Sequence, residues 1–325
     1  MKTMTKILTF VFLCGLGLLG APMARATCLT LSIKNVSVTQ SYVGGAGAYS
    51  PFTATTYNQT VAFDVSGGAV TVACSYFITL SAGSSGNNGQ RTLVLGSKIL
   101  NYNAYTDSTN TNILKDLTTA TASQILTGSF GIGSGLTNHH TFSWTITPQQ
   151  IVNATTSPYS DTVTLTVYTG ILGILPVQVA TQTLTFQSTV DSDVDLSLVP
   201  SGSAFNIAST LETVDFGNLA SGASQGFDLV IRSDSGYKVT LQSANKQALL
   251  IQNAAYTDTV PYTMTINGTS VDLSSGAAVS PVAVSGVTTA QTGVALPIVI
   301  TLGTLTGHET SGTYQDIVTV TVSAD

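Results

Sequence analysis

Along nearly the whole chain, apolar and polar side chains alternate with a period of two in short runs. "TVAFDV", "FITL" and "TFSWTIT" in the first half are such runs, as are "DLVIR", "YKVTL", "YTMTI" and "LPIVITLG" in the second. Each is rich in β-branched residues and bounded by Gly, Ser or Asn. The alternation puts every second side chain on one face and predicts half-buried strands joined by tight turns. About seven runs in each half suit an immunoglobulin-like sandwich, so the expected fold is all-β, with two such sandwiches in tandem. The last run, Ile317 to Val322, places Val318, Val320 and Val322 on one face.

One segment breaks the period. Lys2 and Lys6 precede an apolar run from Ile7 to Leu19, and Ala24-Arg25-Ala26 offers a small-x-small cleavage site. Residues 1–26 therefore read as a secretory signal peptide. No later apolar run reaches membrane length.

Three blocks recur in the same order, which locates two halves. "CSYFITLSA" from Cys74 matches "SGYKVTLQS" from Ser235, "NAYTD" from Asn103 matches "AAYTD" from Ala254, and "PYSDTVTLTVYTG" from Pro158 matches "TYQDIVTVTVSAD" from Thr313. Tyr159 thus aligns with Tyr314 and Asp161 with Asp316, and each Tyr sits where a tyrosine corner would, with simple packing at a strand end as well supported. The boundary falls at "TVDSDVD", giving an N-terminal domain over 27–190 and a C-terminal domain over 191–325.

The halves differ after the third block. The first continues past a turn at Gly170 into a further strand around Val177 to Gln187, with Ala180, Gln182, Leu184 and Phe186 in step. The second shows no counterpart, so its sandwich is expected to lack the last strand and to expose a groove lined by Val318, Val320 and Val322. Refilling that groove would bury four or five side chains at about 1.5–3 kcal/mol each. That is a large share of the stability of a domain. A strand donated by another chain is the known remedy.

Composition adds an exclusion. Only 8% of residues are charged, and loss of the leader takes the formal charge from −6 to −9. An acidic, charge-poor surface argues against nucleic acid and anionic membranes. Cys14 leaves with the leader, and Cys28 and Cys74 remain as a natural disulfide pair in an oxidising compartment.

Catalytic chemistry finds little support. His139 and His140 read as a loop entering a strand, His308 lies in a polar turn, and no cysteine or carboxylate accompanies them at metal-ligand spacing. The chain has no phosphate-binding loop or H-E-x-x-H. Asp191 to Asp195 alternate acids without the Gly and distal Glu of a calcium loop and read as a solvated linker. Trp144, the single Trp, reads as core. No enzyme activity, metal or cofactor is expected.

In order, "DFGNLASG", "SGYKVTLQSAN", "VPYTMTINGTSVDL" and "SGTYQDIVTVTVSAD" resemble the spore coat U domain of archaic (Csu-type) chaperone–usher pili. "LNYNAYTD" and "SPYSDTVTLTV" are a looser version in the first half. The resemblance implies export to a Gram-negative periplasm, capture by a pilus chaperone, passage through an outer-membrane usher, and completion by a strand from an adjacent subunit. The predicted mature chain begins at Thr27-Cys28, leaving no strand to donate, which fits the two-domain adhesin at a pilus tip, on the cell surface.

Such a tip would bind through Gly-rich loops of the first half. Tyr42, Val43, Tyr49 and Phe52 lie in one, Phe130 and Ile132 in a second, and Ile171, Leu172, Ile174 and Leu175 in a third. Clustered at one end, they would form an apolar patch of the kind a soluble monomer seldom exposes. The expected target is an abiotic or host surface, with biofilm formation as the outcome. A structural coat or pilus subunit and a secreted lectin-like binder are the alternatives. For the third loop, packing over the end of the core is as well supported as binding.

Overall fold

The computed structural model describes residues 30–38, 48–53 and 57–324. The leader, Cys28, Tyr42 and Val43 lie outside the described residues.

The N-terminal half contributes nine strands: β1 (Leu31–Val38), β2 (Tyr57–Val70), β3 (Cys74–Leu80), β4 (Arg91–Leu95), β5 (Lys98–Tyr105), β6 (Leu126–Phe130), β7 (Gly133–Ile146), β8 (Thr155–Ile171) and β9 (Ile174–Val190). They join in the order β1-β2-β7-β5-β4-β8-β3-β6, with β9 on the other edge of β8. β4 and β8 meet through the single pair Val94–Ser160, so the sheet folds there into two layers across one core. Trp144 stacks on Phe186 of β9 with ring centroids 4.7 Å apart, and Tyr102 meets both edge-on. The expected last strand is thus present, longer than the period implied, and its Leu184 and Phe186 are buried.

The C-terminal half contributes β10 (Val194–Pro200), β11 (Ser224–Ser233), β12 (Tyr237–Ser243), β13 (Ala248–Ile251), β14 (Thr259–Ile266), β15 (Thr269–Val271), β16 (Val279–Val284), β17 (Val294–Leu302), β18 (Tyr314–Gln315) and β19 (Val318–Ala324). One layer runs β10-β11-β17-β14-β13-β18 with β15 against β14, and the facing layer is β16-β12-β19. A second, separate core fills the space between them, with Leu229, Ile298 and Met264 from one layer and Tyr237, Val239 and Leu241 from the other.

The duplication read from the repeats has a polar signature in the structure. Asp161 accepts hydrogen bonds from the Ser84 amide and hydroxyl, the Tyr102 hydroxyl and the Thr162 amide. Asp316 accepts from the Ser243 hydroxyl, the Asn245 amide, the Tyr262 hydroxyl and the Ile317 amide. Asp161, within β8, and Asp316, just before β19, each tie their segment to a loop and to a core tyrosine. Burial, and then the neighbouring carboxylate, hold the Tyr102 and Tyr262 hydroxyls well above their ordinary pKa. Tyr314 donates to the Thr310 carbonyl at 2.8 Å, four residues upstream, as a tyrosine corner does. Tyr159 reaches the Asn153 carbonyl at 3.5 Å.

The two sandwiches meet across the three residues Asp191 to Asp193. Asp191 N–H donates to the Tyr49 carbonyl, Ala154 N–H to the Asp234 carbonyl, and the Gln291 side chain to the carbonyls of Pro51 and Gln149. The Arg232 guanidinium lies over the rings of Phe52 and Phe205 and is bonded to Asp195 at 2.6 Å.

Candidate functional site

Two features of the fold can act on something outside the chain. The first is the pole of the N-terminal sandwich farthest from the linker. β8 and β9 form a 17-residue antiparallel pair closed by the two-residue turn Leu172-Gly173, with Ile171 opposite Ile174. At about 3.3 Å per residue this ribbon carries the turn roughly 50 Å from Val190, where the linker begins. Gly173 has φ 80° and Gly170 φ 103°, the left-handed values that favour Gly in a tight turn and at a bulge. Leu175 adopts φ 44°. Ile171, Ile174 and Leu175 are exposed, Leu175 by 80%, while Leu172 is half-exposed.

Pairing brings two further loops to this pole. Cys74, at the start of β3, lies opposite Phe130, at the end of β6, and Tyr76 lies opposite Thr169. Ile132, 74% exposed, follows β6 directly, and Val72 is exposed in the β2–β3 loop. With Val177 on β9, six large apolar side chains therefore stand in water at one end. Beside them, an open depression of ≈ 450 Å³ is lined by Phe77, Thr127, Gly128, Ile171 and Leu172, among others.

Three sequence expectations fail here. Phe130 is buried: it ends β6 and stacks on Tyr76 at 5.3 Å. Gly128 makes this possible, since a Cβ there would stand 2.3 Å from the Tyr76 ring, so its role is space and not suppleness. Tyr49 is also fully buried and at the opposite end. Its amide donates to Thr189, and its hydroxyl donates to the Thr147 carbonyl and accepts from the Gln150 amide. It is a clamp between the sandwich and the linker, and Phe52 beside it faces Arg232 at the junction. His139 and His140 lie inside β7 and not in a loop. His140 packs on Phe63 and Tyr76 and bonds the Tyr76 hydroxyl at 2.7 Å, and burial lowers its pKa. His139 pairs with Asp64 at 3.0 Å. Among the described residues no cluster of His, Cys, Asp and Glu is arranged to hold a metal ion.

The second feature is the edge of β19. β19 pairs with β12 on one side, and among the described residues nothing pairs with its other side. The equivalent strand in the N-terminal half is β8, whose Val163, Leu165 and Val167 are fully buried. They lie opposite Leu184, Gln182 and Ala180 of β9. Their counterparts Val318, Val320 and Val322 are only half-buried at the rim of the core. In the N-terminal half β9 stands between β8 and β1; in the C-terminal half the corresponding place between β19 and β10 holds no strand among the described residues. Cys74 is buried in β3, and its expected partner Cys28 lies outside the described residues.

Residues 25–166 match the Spore Coat Protein U domain. The match spans somewhat less than half of the chain and runs through most of β8, so the spore coat U domain is recognised in the half whose motifs carry the looser resemblance. Among solved structures, a chain of the CsuC–CsuE chaperone–tip adhesion subunit complex from archaic Csu pili of Acinetobacter baumannii is 15% identical. Its TM-score is 0.41, over 83% of this chain and 91% of that one. The CupB6 tip adhesin of Pseudomonas aeruginosa is 11% identical with a TM-score of 0.38, over 90% and 94%. CfaE, the adhesive subunit of CFA/I fimbria of enterotoxigenic Escherichia coli, is 11% identical with a TM-score of 0.28, over 94% and 84%. No curated protein sequence matches the chain. At these identities no residue role passes from any of them to this chain.

Proposed function

We propose that this protein is the tip adhesin of an archaic chaperone–usher pilus, an exported, non-catalytic subunit that holds the cell to a surface and so promotes biofilm. The observation that carries the reading is the division of labour between the halves: one sandwich is filled and ends in an apolar pole, while in the other β19 has an edge that no strand pairs among the described residues. An edge flanked by half-buried valines takes an extended strand with alternating apolar side chains, which supplies hydrogen bonds and core contacts together. A pilus chaperone fills that place in the periplasm, and a strand from the adjacent subunit replaces it at the usher. The spore coat U match supports this setting.

At the other end Ile132, Ile171, Ile174 and Leu175 make contact. Each apolar side chain withdrawn from water contributes about 25 cal/mol per Å² without requiring a specific partner group, so the target is an apolar surface, abiotic or host. A leader over 1–26 and a Cys28–Cys74 disulfide in the first sandwich belong to the same reading. They are checked by N-terminal sequencing of the mature protein and by thiol counting before and after reduction.

The deciding experiment replaces Ile171, Leu172, Ile174 and Leu175 with Ser. Assembled fibres carrying the variant should lose at least tenfold in attachment to polystyrene, while the N-terminal sandwich keeps its melting temperature. Undiminished attachment by correctly assembled fibres sinks the reading.

A further inference from the structure

Asp234 occupies an unusual place. It follows β11 at the seam between the sandwiches and is fully buried. Its Oδ1 accepts the Asp193 amide of the linker at 2.8 Å, its backbone carbonyl accepts the Ala154 amide of the N-terminal sandwich, and its own amide donates to the Asp193 carbonyl. Its Oδ2 is buried without a hydrogen-bond partner among the described protein groups. The groups that face it are acidic or neutral: Asp191 and Asp193 from the linker, and Tyr159 from β8. Arg232, two residues away on β11, is held by Asp195 and by the rings of Phe52 and Phe205.

A carboxylate anion in that position would leave a full charge buried, one oxygen unsatisfied, and two like charges close by. Each of these raises the energy of the ionised form. A carboxylic acid in the same place keeps Oδ1 as acceptor for the linker and puts the proton on Oδ2, where a neutral hydroxyl is far less costly to enclose.

We propose that Asp234 makes the junction between the two sandwiches a proton-operated lock, closed while its carboxyl is neutral and loosened when the carboxyl ionises. Ionisation is relieved by water, and water reaches Oδ2 only if the linker lifts from the 233–236 turn. The Asp193 and Ala154 contacts then break together. Burial first, and then Asp193 and Asp191, push the Asp234 pKa from 3.8 up to about 7. The sign follows from linkage: the closed junction holds a proton that the opened one releases. The lock is therefore firmest in acid, weakens as pH rises from the ordinary carboxylate range to about 7, and changes little above that.

Amide hydrogen exchange on the full chain tests this between pH 5 and 8.5, using wild type and Asp234→Asn, with protection factors corrected for intrinsic rate. Asparagine keeps the Oδ1 acceptor and cannot ionise. In wild type the Ala154 and Asp193 amides should lose at least tenfold in protection across the range, while core amides at Ile78 and Ile266 do not. In Asp234→Asn the junction amides should stay constant. Constant wild-type protection, or an equal loss in the variant, overturns the proposal. Should the variant not fold, the carboxyl ¹³C shift of Asp234 in wild type decides: a midpoint between pH 6 and 8 supports the lock, and one below 5 overturns it.

Discussion

At the residue scale, the polar groups buried in the N-terminal core set its tolerance to change. Arg91 is fully buried and spreads its guanidinium over the carbonyls of Leu80, Ser81 and Leu114 and the side-chain oxygens of Asn88 and Asn103. A lysine ammonium cannot fork to five acceptors, and Arg91→Lys should cost about 2–4 kcal/mol in urea unfolding, because several carbonyls lose their donor. The two aspartate keystones give a paired test. Tyr102 supplies the only hydrogen bond described at Asp161 Oδ2, whereas Asp316 Oδ2 also accepts from Ser243. Tyr102→Phe should therefore destabilise by about 1–3 kcal/mol, and Tyr262→Phe by clearly less; equal losses would show that the second donor is immaterial. The repeats align Asp161 with Asp316, but neither their partners nor those of Arg91 were legible in the sequence. Arg91 begins β4, but its acceptors come from segments up to 23 residues away.

At the scale of elements, the period-2 pattern was a good guide wherever a strand has one wet face. The alternation of Val318, Val320 and Val322 appears in β19 as read, and the strand from Val177 to Gln187 lies within β9. Loops were read less well. Phe130 and Tyr49 sit in Gly-rich stretches and look exposed, but their burial is decided by Tyr76 in one case and by Thr147, Gln150 and Thr189 in the other, all distant in sequence. Ile132, Ile171, Ile174 and Leu175 were legible because no described residue covers them. The open edge supplies a prediction. Val163 and Val318 are equivalent, one fully buried and one half-buried. Val163→Ala should cost about 2 kcal/mol, and Val318→Ala roughly half as much in the free chain. Bound to a donor peptide, the chain should show a Val318→Ala cost that rises to the Val163 value. A cost that stays the same with and without peptide would mean that the strand does not cover Val318.

For the whole molecule, one filled and one open core should give two thermal transitions. A peptide of alternating apolar residues that binds at β19 stabilises by mass action only the half it completes, so the lower transition should move up with peptide concentration while the upper one stays fixed. A single transition, or a joint shift, would mean that the sandwiches unfold as one unit through their shared seam.

The β8–β9 ribbon has a consequence under load. On the proposed role, a cell that pulls away from a surface gripped at Leu172-Gly173 puts tension in at the turn and out at Val190, along the axis of β9. Force in that direction runs along the already extended backbone of β9, so the covalent chain carries it and the cross-strand bonds to β8 need not part. The same strand that completes the core therefore serves as the cable.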